Sequence, residues 1–125
     1  MTSSLDAILL CGGKGIRLRP LTESLPKPLV PINGKPILGH ILSHLSSSPI
    51  KHYYIAAGYE INKIHEYFSI YPLKEKKVTI VDSGEADIIE RIRSCAKLIK
   101  SDGFLVLYGD TLSDINIKKL LQFHS

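Results

Sequence analysis

The stretch Leu5-Asp6-Ala7-Ile8-Leu9-Leu10-Cys11-Gly12-Gly13-Lys14-Gly15-Ile16-Arg17 passes from an apolar run into three glycines and two cations. Leu5 to Cys11, short, apolar and bounded by glycine, reads as a buried strand. The segment from Gly12 to Lys35 is rich in Gly and Pro and reads as one long loop. Loops of more than ~12–15 residues inside a compact domain are usually functional or disordered. The regular placement of basic residues and prolines in this one favours function.

Outward from that loop the chain alternates. Pro36 opens a helix, where its missing N–H does least harm, and Ile37, Ile41 and Leu45 give that helix a buried face. Ser46-Ser47-Ser48-Pro49 ends it. His52 to Ala57 is a second strand, Glu60 to Phe68 a second helix, and Lys77 to Val81 a third strand. Asp82-Ser83-Gly84 leads into a helix with Ile88, Ile89, Ile92, Ala96 and Ile99 along one side. Phe104 to Tyr108 is a fourth strand ending in Gly109-Asp110, and Asp114 begins a last helix through Ile117, Leu120 and Leu121. Strands alternating with helices imply right-handed crossovers. The expected fold is α/β, a Rossmann-like, mostly parallel sheet with helices on both faces. Ligands of such sheets bind beyond the carboxyl ends of the strands, near a topological switch point. Gly12–Arg17, Asp82–Glu85 and Gly109–Asp110 occupy those ends.

Composition bounds the partners. The 125 residues are 44% hydrophobic and 22% charged, with a formal net charge of +4, an ordinary globular mix that suits anionic ligands. No contiguous basic stripe or known motif points to nucleic acid. No apolar run approaches the ~20 residues of a membrane-spanning helix, and Met1 to Asp6 lacks the layout of a secretory signal. Cys11 and Cys95, far apart and in apolar contexts, read as reduced core residues, which points to the cytoplasm. Lys74, Lys76 and Lys77 beside Glu75 read as a solvated turn rather than a phosphate patch. His40 and His44 sit four apart on a helix, but no third metal ligand accompanies them.

Glycine lets backbone approach a phosphate closely and aim successive N–H groups at it. Lys14 and Arg17 add positive charge, and Arg can hold phosphate oxygens in bidentate fashion. The spacing fits neither the dinucleotide fingerprint nor the P-loop, which argues against a Rossmann-type NAD enzyme. Further on, Lys27 lies between Pro26 and Pro28, whose fixed φ restricts its backbone; on composition alone a stiff surface loop with a solvated Lys reads equally well. Asp110, alone, is also a common turn residue.

Taken together, Gly12-Gly13-Lys14-Gly15-Ile16-Arg17-Leu18-Arg19-Pro20-Leu21-Thr22, then Pro26-Lys27-Pro28-Leu29, then Gly34-Lys35-Pro36-Ile37 resemble the signature of nucleotidylyltransferases acting on sugar 1-phosphates. The resemblance continues through Gly58-Tyr59 and Tyr108-Gly109-Asp110. It implies an enzyme that joins a nucleotide to a sugar 1-phosphate and releases pyrophosphate. It implies that backbone around Leu10, Cys11, Gly12 and Gly13 lines the base and ribose. Lys14, Gly15 and Arg17 then contact the triphosphate, Lys27 reaches the reacting phosphates, and Asp110 binds Mg²⁺. Ser83, Gly84 and Gly109 complete the nucleotide-binding set, and Arg17 and Lys27 are the catalytic cations. Ile16 stands where the family usually has Thr, which removes a hydroxyl. Glu85-Ala86-Asp87-Ile88-Ile89-Glu90 replaces the usual glycine-rich run, and its carboxylates suit a helix N-terminus.

Val78 to Gly84, and Asp114-Ile115-Asn116-Ile117-Lys118 after Asp110, are most similar to glucose-1-phosphate cytidylyltransferases, making CTP the preferred donor; heptose-phosphate guanylyltransferases share part of the pattern. Members of the family normally continue well beyond this length. Residues 1–125 are therefore expected to be the nucleotide-binding domain, incomplete at the C-terminal end, with further sequence or a partner chain such as a second copy completing the site. The alternative is a nucleotide-binding or regulatory module without turnover.

Overall fold

The computed structural model describes residues 5–12, 25–84, 86–100 and 103–109. Its centre is a four-stranded sheet of β1 (Leu5–Leu10), β4 (Ile50–Ala57), β5 (Lys77–Asp82) and β6 (Phe104–Tyr108), in the order β5-β4-β1-β6. All three pairings are parallel: Leu10 lies opposite both Ala56 and Tyr108, and Ala57 opposite Asp82. The expected fold class holds, and the four strands fall within two residues of where the sequence places them.

Three helices cover the sheet: α1 (Ile37–His44), α2 (Ile61–Ile70) and α3 (Ile88–Ala96). Strand residues alternate between two apolar layers, as the two-residue pleat requires. Ala7, Leu9 and Cys11 face a core shared with Ile37, Leu38, Ile41, Leu42 and Leu45 of α1 and Ile64 of α2. Ile8 and Leu10 face a smaller core with Tyr54, Ala56 and Cys95, flanked by Ile92, Ile99 and Phe104. Right-handed crossovers explain the arrangement. The chain steps outward from β1 to β4 to β5 with α1 and α2 on one face, then returns past β1 to β6 with α3 on the other. The switch point is therefore at β1.

Several local expectations need revision. The segment from Gly12 to Lys35, read as one loop, contains a 3-10 turn at Lys27–Leu29 and a short hairpin of β2 (Pro31–Ile32) and β3 (Lys35–Pro36). Asn33 and Gly34 carry it at φ 53° and 79°, positive values at both central positions of the kind that favour Asn-Gly hairpin turns. His40 Nε2 donates to the Ile32 carbonyl at 2.8 Å and ties this hairpin to α1. The second helix runs to Ile70 rather than Phe68, from an N-cap Glu60 in the left-handed region.

The face of α3 is also turned from the expected one. Ile88 and Ile89 are exposed, whereas Cys95 is fully buried and Ile92 packs beside it. The first turn of α3 stands at the carboxyl edge of the sheet, beyond the strands that would cover it. Lys76 is no solvated turn residue: its Nζ donates to the carbonyls of Leu45, Ser48 and Ile50 at 3.4, 3.3 and 2.7 Å. It also sits 5.6 Å from the centroid of the Tyr53 ring. Cys11 and Cys95 are both buried thiols, on opposite faces of the sheet. Among the described residues no helix is long and apolar enough to cross a membrane. The helix expected from Asp114 lies outside the described residues.

Candidate active site

The carboxyl edge of the sheet is made of glycines. Gly12 follows β1, Gly58 follows β4, Gly84 lies just past β5, and Gly109 follows β6. Backbone bonds knit these ends together: Cys11 N–H to the Ala56 carbonyl at 2.8 Å, Ser83 N–H to the Ala57 carbonyl at 2.8 Å, and Gly109 N–H to the Leu10 carbonyl at 3.0 Å. Three of the four glycines have no room for a side chain. A Cβ on Gly58 would lie 2.9 Å from the Gly84 carbonyl carbon and closer still to its oxygen. One on Gly109 would run into Cys11 Sγ, and one on Gly12 would lie 2.5 Å from Arg91 Nη1. The result is a low backbone shelf at the switch point, the kind of surface a phosphorylated ligand can approach closely.

Of the residues singled out from the sequence, Leu10, Cys11, Gly12, Ser83, Gly84 and Gly109 are brought to this edge. The Leu10 and Cys11 side chains are buried on opposite sides of β1, so they can offer a ligand only backbone. Ser83 is fixed twice on Ala57, because its Oγ also donates to the Ala57 carbonyl at 3.0 Å. Gly84, at φ 56°, donates its N–H to Asp82 Oδ1 at 2.9 Å and closes a tight turn.

Lys27 begins the 3-10 turn, closed by Leu29 N–H to the Pro26 carbonyl at 2.9 Å and Val30 N–H to the Lys27 carbonyl at 3.0 Å. Pro26, Pro28, Leu29 and Val30 are all buried. This removes the surface-loop reading: the two prolines are core residues, and Lys27 is a half-exposed cation on a rigid, packed turn. Ile37 N–H donates to the Val30 carbonyl at 3.1 Å, joining the turn to the start of α1. Gly13, Lys14, Gly15, Arg17 and Asp110 lie outside the described residues.

Two residues were missed by the sequence reading. Gly58 was read only as a turn, although its contact with Gly84 sets the height of the β5 loop. Arg91 was hidden in an apparently apolar helix. The carboxylates around it have local roles: Asp87 caps α3 by accepting from Glu90 N–H at 2.9 Å, and Glu90 pairs with Arg93 at 2.7 Å on the exposed side. Glu85 lies outside the described residues. Among the described residues no three His, Cys, Asp or Glu side chains gather as a metal site.

The sequence model of the nucleotidyl transferase family matches residues 6–125. The chain belongs to this family. Among curated relatives, this nucleotidyl transferase is 40% identical over 119 residues to the bifunctional protein GlmU of Methanocaldococcus jannaschii, covering 95% of this chain and 28% of that one. It is 33% identical over 141 residues to a probable glucose-1-phosphate cytidylyltransferase of Bacillus subtilis, covering 96% of this chain and 56% of that one. In fold it is similar to HddC from Yersinia pseudotuberculosis, crystallised in complex with GMP-PN. That match has a TM-score of 0.85 at 27% identity and covers 95% of this chain and 53% of HddC. The chain thus spans between about a quarter and about half the length of these relatives.

Proposed function

We propose that this chain forms the nucleotide-binding part of an enzyme that transfers a nucleotidyl group from a nucleoside triphosphate, CTP by preference, to a sugar 1-phosphate. The products are a nucleotide-sugar and pyrophosphate. The observation that carries the reading is the glycine shelf at the β1 switch point, in a chain of the nucleotidyl transferase family. The similarity to a probable glucose-1-phosphate cytidylyltransferase supports cytosine and glucose 1-phosphate as the pair to test first. In this reading the remaining sugar contacts come from further sequence or from a second copy of the chain.

The chemistry needs no general base. An oxygen of the sugar phosphate, already ionised near neutral pH, attacks the α-phosphorus, and the bond from that phosphorus to the bridging oxygen of the β-phosphate breaks. The barrier is repulsion between two polyanions and charge growing on the leaving pyrophosphate, so alignment and cations do the catalysis. In the proposal Arg17 and Lys14 face the triphosphate and Lys27 the reacting phosphates. The buried prolines on either side hold the Lys27 backbone and so reduce the reorganisation that its charge requires. Asp110 would hold Mg²⁺, which neutralises phosphate charge when bound. A single carboxylate beside a fixed strand end suits an ion that retains part of its water shell, and Gly109 N–H, bonded to Leu10, fixes the residue next to it in the chain.

The test is pyrophosphate release from CTP, UTP, GTP and dTTP with glucose 1-phosphate and Mg²⁺, beside calorimetric binding of each triphosphate. Turnover that falls roughly 100-fold or more in Lys27→Ala or Arg17→Ala, as for loss of one oxyanion donor, is the expected result. Binding without turnover would assign the chain to the alternative, a nucleotide-binding module. No binding of any triphosphate would overturn the reading.

A further inference from the structure

Arg91 lies one turn into α3, on the side facing the sheet, and its guanidinium occupies the space above Gly12. A Cβ at Gly12 would stand 2.5 Å from Nη1, 2.7 Å from Cζ and 3.1 Å from Nε. Along β1, Ile8 and Leu10 point into the α3-side core, and the pleat sends position 12 the same way. The glycine therefore leaves the slot that Arg91 enters from the opposite wall. Arg91 Nε is buried and has no hydrogen-bond partner among the described residues. The nearby carboxylates are engaged elsewhere, Asp87 on the helix N-terminus and Glu90 with Arg93. A buried donor without a partner is costly to maintain. Here it belongs to a planar fork of five donors that accepts nothing and pairs best with two adjacent acceptors.

We infer that Arg91 is a specificity-determining residue that reads the base of the bound nucleotide, favouring bases with two adjacent acceptors. The inference rests on the nucleotide reading above, in which backbone near Gly12 lines the base. Cytosine presents O2 and N3 as neighbouring acceptors, and guanine presents O6 and N7. Uracil and thymine place an N–H at position 3 between their two carbonyls, so they offer no such pair. Arg91 thereby separates CTP and GTP from UTP and dTTP, and the shape of the remaining walls separates the first two.

The test is calorimetric titration of the 125-residue chain with CTP, GTP, UTP and dTTP in the presence of Mg²⁺. Wild type, Arg91→Lys, Arg91→Ala, Gly12→Ala and Lys27→Ala are compared, each first checked for native circular dichroism. Wild type is expected to hold CTP or GTP at least roughly tenfold tighter than UTP and dTTP, the size of one bidentate base contact. Whichever of the two leads identifies the base. Arg91→Ala brings the four affinities within about twofold of one another. Arg91→Lys keeps the charge but lacks the fork, and levels the preference in the same way. Gly12→Ala displaces the guanidinium and does likewise, so it and Arg91→Lys carry the test if Arg91→Ala does not fold. Lys27→Ala weakens all four and leaves their ratios alone. Unchanged ratios in the Arg91 variants, an equal loss for all four triphosphates, or a wild type that favours UTP or dTTP would overturn the inference while leaving the nucleotide site standing. A wild type that binds none of the four removes both.

Discussion

Gly58→Ala is the substitution whose effect is most tightly fixed by the geometry. The added methyl would sit 2.9 Å from the Gly84 carbonyl carbon, where ordinary contact begins at 3.4 Å, and closer again to the oxygen. The loop after β5 must retreat by at least half an ångström. It cannot do so freely, because Ser83 holds Ala57, the residue before Gly58, through both N–H and Oγ at 2.8 and 3.0 Å. Overpacking of this kind costs about 1–3 kcal/mol, and weakening one or both Ser83 bonds adds about 0.5–1.5 kcal/mol each. The expected destabilisation is therefore roughly 2–5 kcal/mol, a large part of the ~5–15 kcal/mol that holds a typical domain together. Urea unfolding measures it as a fall in midpoint at constant slope. Gly12→Ala is the contrast, since it meets only the far end of the Arg91 side chain and should shift the midpoint little. A Gly58→Ala chain as stable as wild type would show that the Gly58–Gly84 contact does not hold the loop, and the account of the shelf would fail.

Lys76→Met removes the donor to three carbonyls and the cation beside Tyr53, and should lower stability by about 1.5–3 kcal/mol in the same urea assay; no change would make the clamp ornamental. Burial holds the His52 imidazole below its ordinary range, outweighing the opposing pull of Asp6, while Lys77 adds to the depression. The unfolded state then takes up the proton first, so this contribution is complete above about pH 6.5 and is lost as pH falls through the lower folded value. Unfolding midpoints measured downward from pH 7 should therefore drop less in His52→Gln than in wild type. Burial pushes the Cys95 thiol up to about 11, leaving about one thiolate in a thousand at pH 8. Iodoacetamide should label Cys95 in urea and spare it in the native protein, and native labelling there would contradict its burial.

The sheet was legible because a parallel strand covered on both faces must be apolar along its length, and the runs at Leu5, His52, Lys77 and Phe104 satisfy that between turn residues. The buried face of α1 was equally plain from Ile37, Ile41 and Leu45. What the sequence concealed depends on partners distant along the chain. Lys76 looks like any lysine in a basic turn until Leu45, Ser48 and Ile50 turn their carbonyls toward it. The face of α3 was misjudged because isoleucine is expected to be buried, whereas its first turn overhangs the sheet and leaves Ile88 and Ile89 outside. Arg91 escaped notice for the same reason, since its significance comes from an empty position on β1. The hairpin at Asn33-Gly34 did carry a local signal, the Asn-Gly pair, obscured by the prolines on either side of it.

The strand order has a temporal consequence during synthesis. β1 leaves the ribosome first, and its partner on one side, β4, comes after a single helix, but its partner on the other side, β6, is among the last described segments made. The α1–α2 core can condense while translation proceeds, because nearly all its members precede Asp82. The α3-side core must wait for Cys95 and Phe104, and until then one edge of β1 stays open to foreign strands. The shelf cannot close before Gly109 emerges. A nucleotide therefore cannot chaperone the growing chain through that site and can reward only the finished sheet.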